Sequence, residues 1–204
     1  MHAYDRFEIH NDERKQRLMS LGVPAFEGPD VLPAIQKMLS PWIDQVRLHP
    51  GDIREKGWGD DPIEILIVDA AKHADTGDHI AETFFPHLIP GRSLVVHQDF
   101  LNHRQPWIAV QMALFADYFE PLVLCGQECM VFLNTAPIPK SLIADSKVDP
   151  LNNAAYLRAL RQISERLEPM VGQRPLRRIR NTAKAHPTIR NAHKLTRALR
   201  RAAE

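Results

Sequence analysis

The run "IEILIVDA", Ile63 to Ala70, restricts the fold more than any other stretch of this chain. Ile63, Ile65, Leu66, Ile67 and Val68 leave almost no polar position, so the segment reads as a strand buried on both faces, the pattern of a parallel sheet. A helical stretch from about Thr76 to Leu88 follows, and "PGRSLVVHQDF" then repeats the pattern, again ending in polar residues. Parallel neighbours need a long crossover, and a helix between two such strands supplies it. The expected class is therefore α/β.

The flanking segments fit that frame. "MHAYDRFE" reads as the end of a strand that delivers Asp5 to a loop. Asn11 is placed to cap a helix whose Leu18 and Met19 face inward and whose Gly22 supplies a left-handed stop. A second helix is expected between Asp30 and Leu39, with Pro33 in its first turn. "DQVRLHPGDI" alternates apolar and polar residues before a turn, giving a strand that ends near His49 and a loop that carries Asp52. After a helix from about Gln105 to Tyr118, "PLVLC" and "CMVFLNT" predict an antiparallel hairpin turning through Gly126, Gln127 and Glu128. Helical periodicity returns in "NAAYLRALRQISERLEPM" and is interrupted at Gly172 and Pro175. The last stretch, "HPTIRNAHKLTRALRRAAE", predicts a basic helix with Ile189, Leu195 and Leu199 as a thin apolar face, packed loosely or exposed. No internal repeat is visible.

A chain of 204 residues with 44% apolar side chains is long enough for one core and an appendage. The division expected is a domain over 1–145 and a helical basic extension over 146–204. Lys and Arg number 26 against 25 Asp and Glu, a net charge of +1, and half of the basic residues follow Leu151. That balance argues against wholesale nucleic-acid binding and gives the tail alone a basic character, suited to an acidic partner or an anionic membrane surface. Two cysteines, no secretory signal and no run approaching a membrane span make a reducing cytoplasm the expected compartment. Cys125 and Cys129 supply only half of a zinc site and read as small packers across the hairpin.

Four segments together, "HAYDRFE", "VRLHPGDI", "ILIVDAAKHADTGDHIAETFFPHLIPGRSLVVHQDF" and "YFEPLVLCGQECMVFLNTAPIP", resemble the class I S-adenosylmethionine-dependent methyltransferases from their second strand onward. More narrowly they resemble the macrocin O-methyltransferase-like and related sugar O-methyltransferases, over about His2 to Leu142. The resemblance implies a Rossmann-like, mostly parallel sheet with a C-terminal antiparallel hairpin. It also implies a first strand and a glycine-rich cofactor loop that no residue before His2 provides; "GWG" at Gly57 to Gly59 follows the wrong strand. The expectation is a start inside a longer reading frame, so that the 204 residues bind S-adenosylmethionine poorly until upstream sequence is restored.

The same resemblance assigns roles. Asp5 would bind the cofactor ribose, and Asp52 with Ile53 would address the adenine. Asp69 and Asp99 would hold Mg²⁺, which favours carboxylate oxygens and would acidify a bound hydroxyl. His73 or His97 would take the proton. The families carry a further acid after the first Asp where this chain has Ala70, Ala71 and Lys72, and another acid where it has Gln98. The plainer alternatives are that Asp5 and Asp52 cap their loops and that Asp69 caps a helix and pairs with Lys72. His103 and Trp107 are candidates for an acceptor pocket, or else a loop histidine and a packed indole.

The function these readings imply is methyl transfer to a hydroxyl of a sugar-containing or other polar small molecule. A homo-oligomer is compatible with it. Two further readings compete: a noncatalytic module that keeps the fold, and a metal-dependent hydrolase built on Asp69, His73, His97, Asp99 and His103.

Overall fold

In the computed structural model, which describes residues 1–202, the strands pair into two separate sheets. They belong to two compact units, Met1–Lys56 and Gly57–Glu204. The single parallel sheet expected to contain the strands near residues 2–4, 45–49, 63–69 and 93–98 is thus not formed. Its members pair two by two, β1 with β2 and β3 with β4, each pair within its own unit.

In the first unit, β1 (His2–Asp5) is linked to its partner through α1 (Asp12–Ser20), α2 (Leu32–Met38) and a 3₁₀ turn. That partner, β2 (Arg47–Pro50), runs parallel to β1 with Asp5 opposite Pro50. Asn11 caps α1 by accepting the Arg14 N–H at 2.8 Å. The core here is small: Phe7, Val31 and Ala34, with Ile9, Val23, Phe26, Leu32, Ile35 and Leu48 packed around them. Phe7 has φ of 54°, a left-handed conformation that a bulky side chain adopts only when its surroundings enforce it. Two contacts do so. Its ring is buried in the core, and its N–H donates to Asp5 Oδ1 at 2.6 Å.

The second unit is built on four strands in the order β3-β4-β6-β5. Between β3 (Ile65–Val68) and its parallel neighbour β4 (Leu94–His97) the crossover is α3 (Ala74–Phe84) and a short 3₁₀ turn. The chain continues through α4 (Pro106–Leu114) to β5 (Phe119–Cys125) and β6 (Cys129–Asn134), which pair antiparallel, β6 also lying antiparallel to β4. Gly126 turns this hairpin with φ of 65°, a value glycine tolerates without cost. Then come α5 (Lys140–Asp145), α6 (Asn153–Val171), α7 (Gln173–Ala185) and α8 (Ala192–Arg201).

One face of this sheet is sealed. Val95, His97, Met130 and Phe132 are all fully buried, and Trp107, Tyr156, Leu160 and Leu167 on α4 and α6 are fully buried as well. The other face is partly bare. Ile65 and Ile67 each keep 60% of their surface exposed, so the strand expected to be buried on both faces is covered on one only. β3 is an edge strand, and the pleat sends Ile65 and Ile67 to the uncovered side.

The helical region shows the expected interruption at Gly172, which separates α6 from α7, while the tail reading changes. Gly172, at φ of 78°, turns the chain, and Pro175 sits in the first turn of α7, where its missing N–H costs no hydrogen bond. Leu176, Ile179 and Ala183 then face the core. The tail is not loosely packed. Leu195 is fully buried, and residues 190–192 are tied to the segment after β3: Ala74 N–H donates to the Arg190 carbonyl and Ala192 N–H to the Lys72 carbonyl, each at 3.0 Å. The Arg190 guanidinium lies 3.6 Å from the centre of the Tyr156 ring, a close cation–π contact. No helix among the described residues is long and apolar enough to cross a membrane.

Candidate functional site

Parallel strands present their C-terminal ends at one edge, and ligands of open α/β sheets bind in the crevice there. In the second unit, β3 and β4 bring Asp69 and Asp99 to that edge, with Val68 in register with His97. Lys72 joins the two acids. Its Nζ donates to Asp69 Oδ1 at 2.8 Å and contacts Asp99 Oδ2. Gln105 Nε2 also donates to Asp99 Oδ2, at 2.8 Å, and Asn102 Nδ2 lies 3.3 Å from Asp99 Oδ1. The plainer pairing of Asp69 with Lys72 is therefore present, and extends to Asp99.

The electrostatics agree from both sides of the pair. Partial burial pulls Lys72 toward neutrality, but the hydrogen bonds and charges of Asp69 and Asp99 outweigh it and raise its pKa. Burial likewise opposes the Asp99 carboxylate, and the hydrogen bonds of Lys72 and Gln105 with the Lys72 charge reverse that and lower its pKa. The cluster is an anion–cation–anion array at neutral pH. Asp69 is its open member, with 63% of its side chain exposed against 20% for Asp99.

The loop carrying Lys72 is held from two sides. The Trp107 indole N–H donates to the Ala71 carbonyl at 2.7 Å, so Trp107 is a buried brace and not a pocket wall. The Arg190–Ala192 segment holds Lys72 and Ala74 as described above. His73, at the start of α3, has its Nε2 2.8 Å from Asn191 Nδ2, which donates to it. The imidazole is thereby engaged by the tail.

His97 does not join this cluster. It is fully enclosed on the sealed face, its ring centre 6.3 Å from those of Phe100 and Phe132, with no hydrogen-bond partner on either nitrogen among the described residues. Burial alone pulls its pKa down to about 4, so it stays neutral in the core. His103 turns elsewhere, with Nδ1 3.1 Å from Thr182 Oγ1 on α7. The constellation needed for a metal-dependent hydrolase is thus dispersed, and among the described residues no group of three or more His, Cys, Asp or Glu converges on a common point.

A divalent cation does not fit between Asp69 and Asp99 in this arrangement. Lys72 Nζ already lies there, and a second cation at that point would be repelled by the ammonium unless Lys72 swung aside.

In the first unit, Asp5 and Asp52 stand at the C-terminal ends of β1 and β2. Asp5 Oδ1 accepts the Phe7 N–H, so Asp5 does cap its loop. Its other oxygen makes no hydrogen bond among the described residues, which fits a ligand hydroxyl. Asp52 is fully engaged: Oδ1 accepts the Arg54 N–H at 3.0 Å, and Oδ2 pairs with Arg54 at 2.7 Å and Arg6 at 2.6 Å. Arg54 first, and then Arg6, hold the Asp52 carboxyl far below the usual range. Ile53 begins the 3₁₀ turn that Asp52 caps and is partly exposed.

The chain matches no protein-family model and no curated protein.

One feature escaped the sequence reading. α7 carries Arg174, Arg177 and Arg178 into a cleft with His103. The "RPLRRIR" segment holds the signal, since Leu176, Ile179 and Ala183 recur at helical spacing once Pro175 is accepted in a first turn.

Proposed function

We propose that the chain is an S-adenosylmethionine-dependent O-methyltransferase acting on a hydroxyl of a polar small molecule, with Lys72 in place of the metal ion. The observation that carries the reading is the Asp69–Lys72–Asp99 array at the carboxyl ends of two parallel strands. Supporting it is the order β3-β4-β6-β5 with β6 reversed, which is compatible with the sheet that the resemblance implies.

Bound cofactor would supply a methyl group on a sulfonium, and the free oxygen of Asp5 suits its ribose hydroxyls. The chain's own residues would handle the acceptor. An ammonium has three N–H donors, and Asp69 and Asp99 take two. The third is available to an acceptor oxygen, stabilising the negative charge that grows on it as its proton leaves. Asp69 Oδ2, exposed and without a partner among the described residues, is the group to receive that proton. Asp99, saturated by Lys72, Gln105 and Asn102, positions Lys72.

The test is transfer of a labelled methyl group from S-adenosylmethionine to a panel of sugars, polyols and phenols by the purified protein. Lys72→Met should lower turnover about 100-fold while leaving cofactor affinity within about threefold, and a chelator should leave the rate unchanged. Loss of activity on chelation would remove the lysine mechanism. Absence of cofactor binding would favour a noncatalytic module, a reading supported by the saturation of Asp52 with two arginines.

A further inference from the structure

The cleft between α7 and the turn after β4 is lined by His103, Arg174, Arg177, Arg178, Asn181 and Thr182, and encloses about 330 Å³. Positions 174, 177, 178 and 181 lie at spacings of three and four along one face of α7, so their side chains project together. None of the three guanidiniums pairs with a carboxylate or any other side chain among the described residues, in a molecule that has almost as many acids as bases. Like charges gathered on one helix face without a counter-charge attract an anion.

His103 behaves as a member of that cleft. Burial first, and then Arg178 and Arg104, lower its pKa, so it faces the guanidiniums as a neutral ring. Thr182 Oγ1, 3.1 Å from its Nδ1, orients it and leaves Nε2 for a further contact. Every cationic lining residue is arginine, whose planar fork matches the oxygens of a phosphate better than a lysine point charge does. Three such forks exceed what a single carboxylate can accept. A phosphate dianion with its three terminal oxygens takes all of them, and the volume leaves room for a small organic body beside it.

We infer that this cleft binds the phosphate group of a small phosphorylated molecule, through Arg174, Arg177 and Arg178 with Asn181 and His103. The site stands on α7 and does not depend on the methyl-transfer reading.

Titration with inorganic pyrophosphate at constant ionic strength, followed by amide and imidazole NMR shifts, tests it. The signals of His103, Asn181 and Thr182 should move together and saturate, with half-saturation below about 1 mM. The exposed pair Arg177→Ala/Arg178→Ala should weaken binding at least about tenfold, while Arg200→Ala/Arg201→Ala on α8, equal in charge removed, should change it less than about twofold. Equal weakening by both pairs would reduce the effect to general positive charge and overturn the site. So would the absence of saturation below about 10 mM. A single-stranded oligonucleotide that moves the same signals, and binds tighter as it lengthens, would replace the small-molecule ligand with a nucleic acid.

Discussion

Each unit sets two acids at the carboxyl ends of two parallel strands, and each then neutralises them differently. In the first, Asp52 is clamped by Arg6 and Arg54 while Asp5 keeps an oxygen open. In the second, one lysine serves both acids. The difference teaches how much reactivity a strand-end acid retains. Arginines that never lose their charge convert Asp52 into a fixed structural group, whereas a shared, partly exposed lysine leaves Asp69 accessible and the array titratable.

Testing that contrast by pH first requires removing a second source of acid sensitivity in the same unit. His97 has a folded pKa of about 4 against an ordinary 6.5, so the unfolded chain binds its proton first. Stability is then full above about pH 6.5 and falls as pH drops toward 4, by about 3 kcal/mol in all. Urea unfolding followed through the buried Trp107 should show this slope in the native chain. In His97→Leu it should be absent, and at pH 7 stability should rise by about 1 kcal/mol, because two unpaired buried nitrogens are gone.

The comparison itself is sharpened by Lys72. Lys72→Met should cost about 1–2 kcal/mol at pH 7, a figure held down by the exposure of Asp69 and Lys72. Because the folded pKa of Lys72 is raised, its contribution is complete below about pH 10.5 and is lost as pH climbs past that value. The clamp on Asp52 persists there, since arginine stays charged. Unfolding curves for native and Lys72→Arg protein at pH 11 should separate, the arginine variant keeping its stability. Coincident curves would mean that the two sites are not electrically distinct.

The smallest effects belong to the first unit. Asp52→Asn should cost about 1 kcal/mol through the lost ion pairs and weakened cap. The cost should begin to shrink as pH falls below about 4, where the unfolded chain takes up the proton, and should vanish only at the far lower pH that protonates the folded Asp52 carboxyl. Asp5→Asn, whose amide oxygen can still accept the Phe7 N–H, should change stability by less than about 0.5 kcal/mol. Amide exchange at β1 and β2 reports both. A larger effect for Asp5 would make it structural and remove it as a ligand group.

Strands and crossover helices were legible because burial writes itself into consecutive apolar residues. Asp69 and Asp99 at one edge followed from parallel pairing. The inward direction of His97 was not legible, because a strand buried on both faces gives no alternation to show which side a residue takes. The bare side chains of Ile65 and Ile67 escaped for the same reason: apolar composition records what a strand can bury, not whether anything covers it. α7 was hidden by Pro175, read as a break where it is a beginning. The tail's attachment was invisible because its backbone hydrogen bonds carry no side-chain signature and its side-chain contacts, Asn191 with His73 and Arg190 with Tyr156, join residues far apart in sequence.

That attachment sets an order of events during synthesis. Lys72 and Asp69 emerge early, but the loop between them and α3 is fastened by Arg190, Asn191 and Ala192, with Asn191 standing 118 positions after His73. Until that later stretch has been made, Ala74 N–H and the Lys72 carbonyl lack their partners. A ribosome halfway through this chain therefore carries a finished pair of parallel strands and an unfinished site.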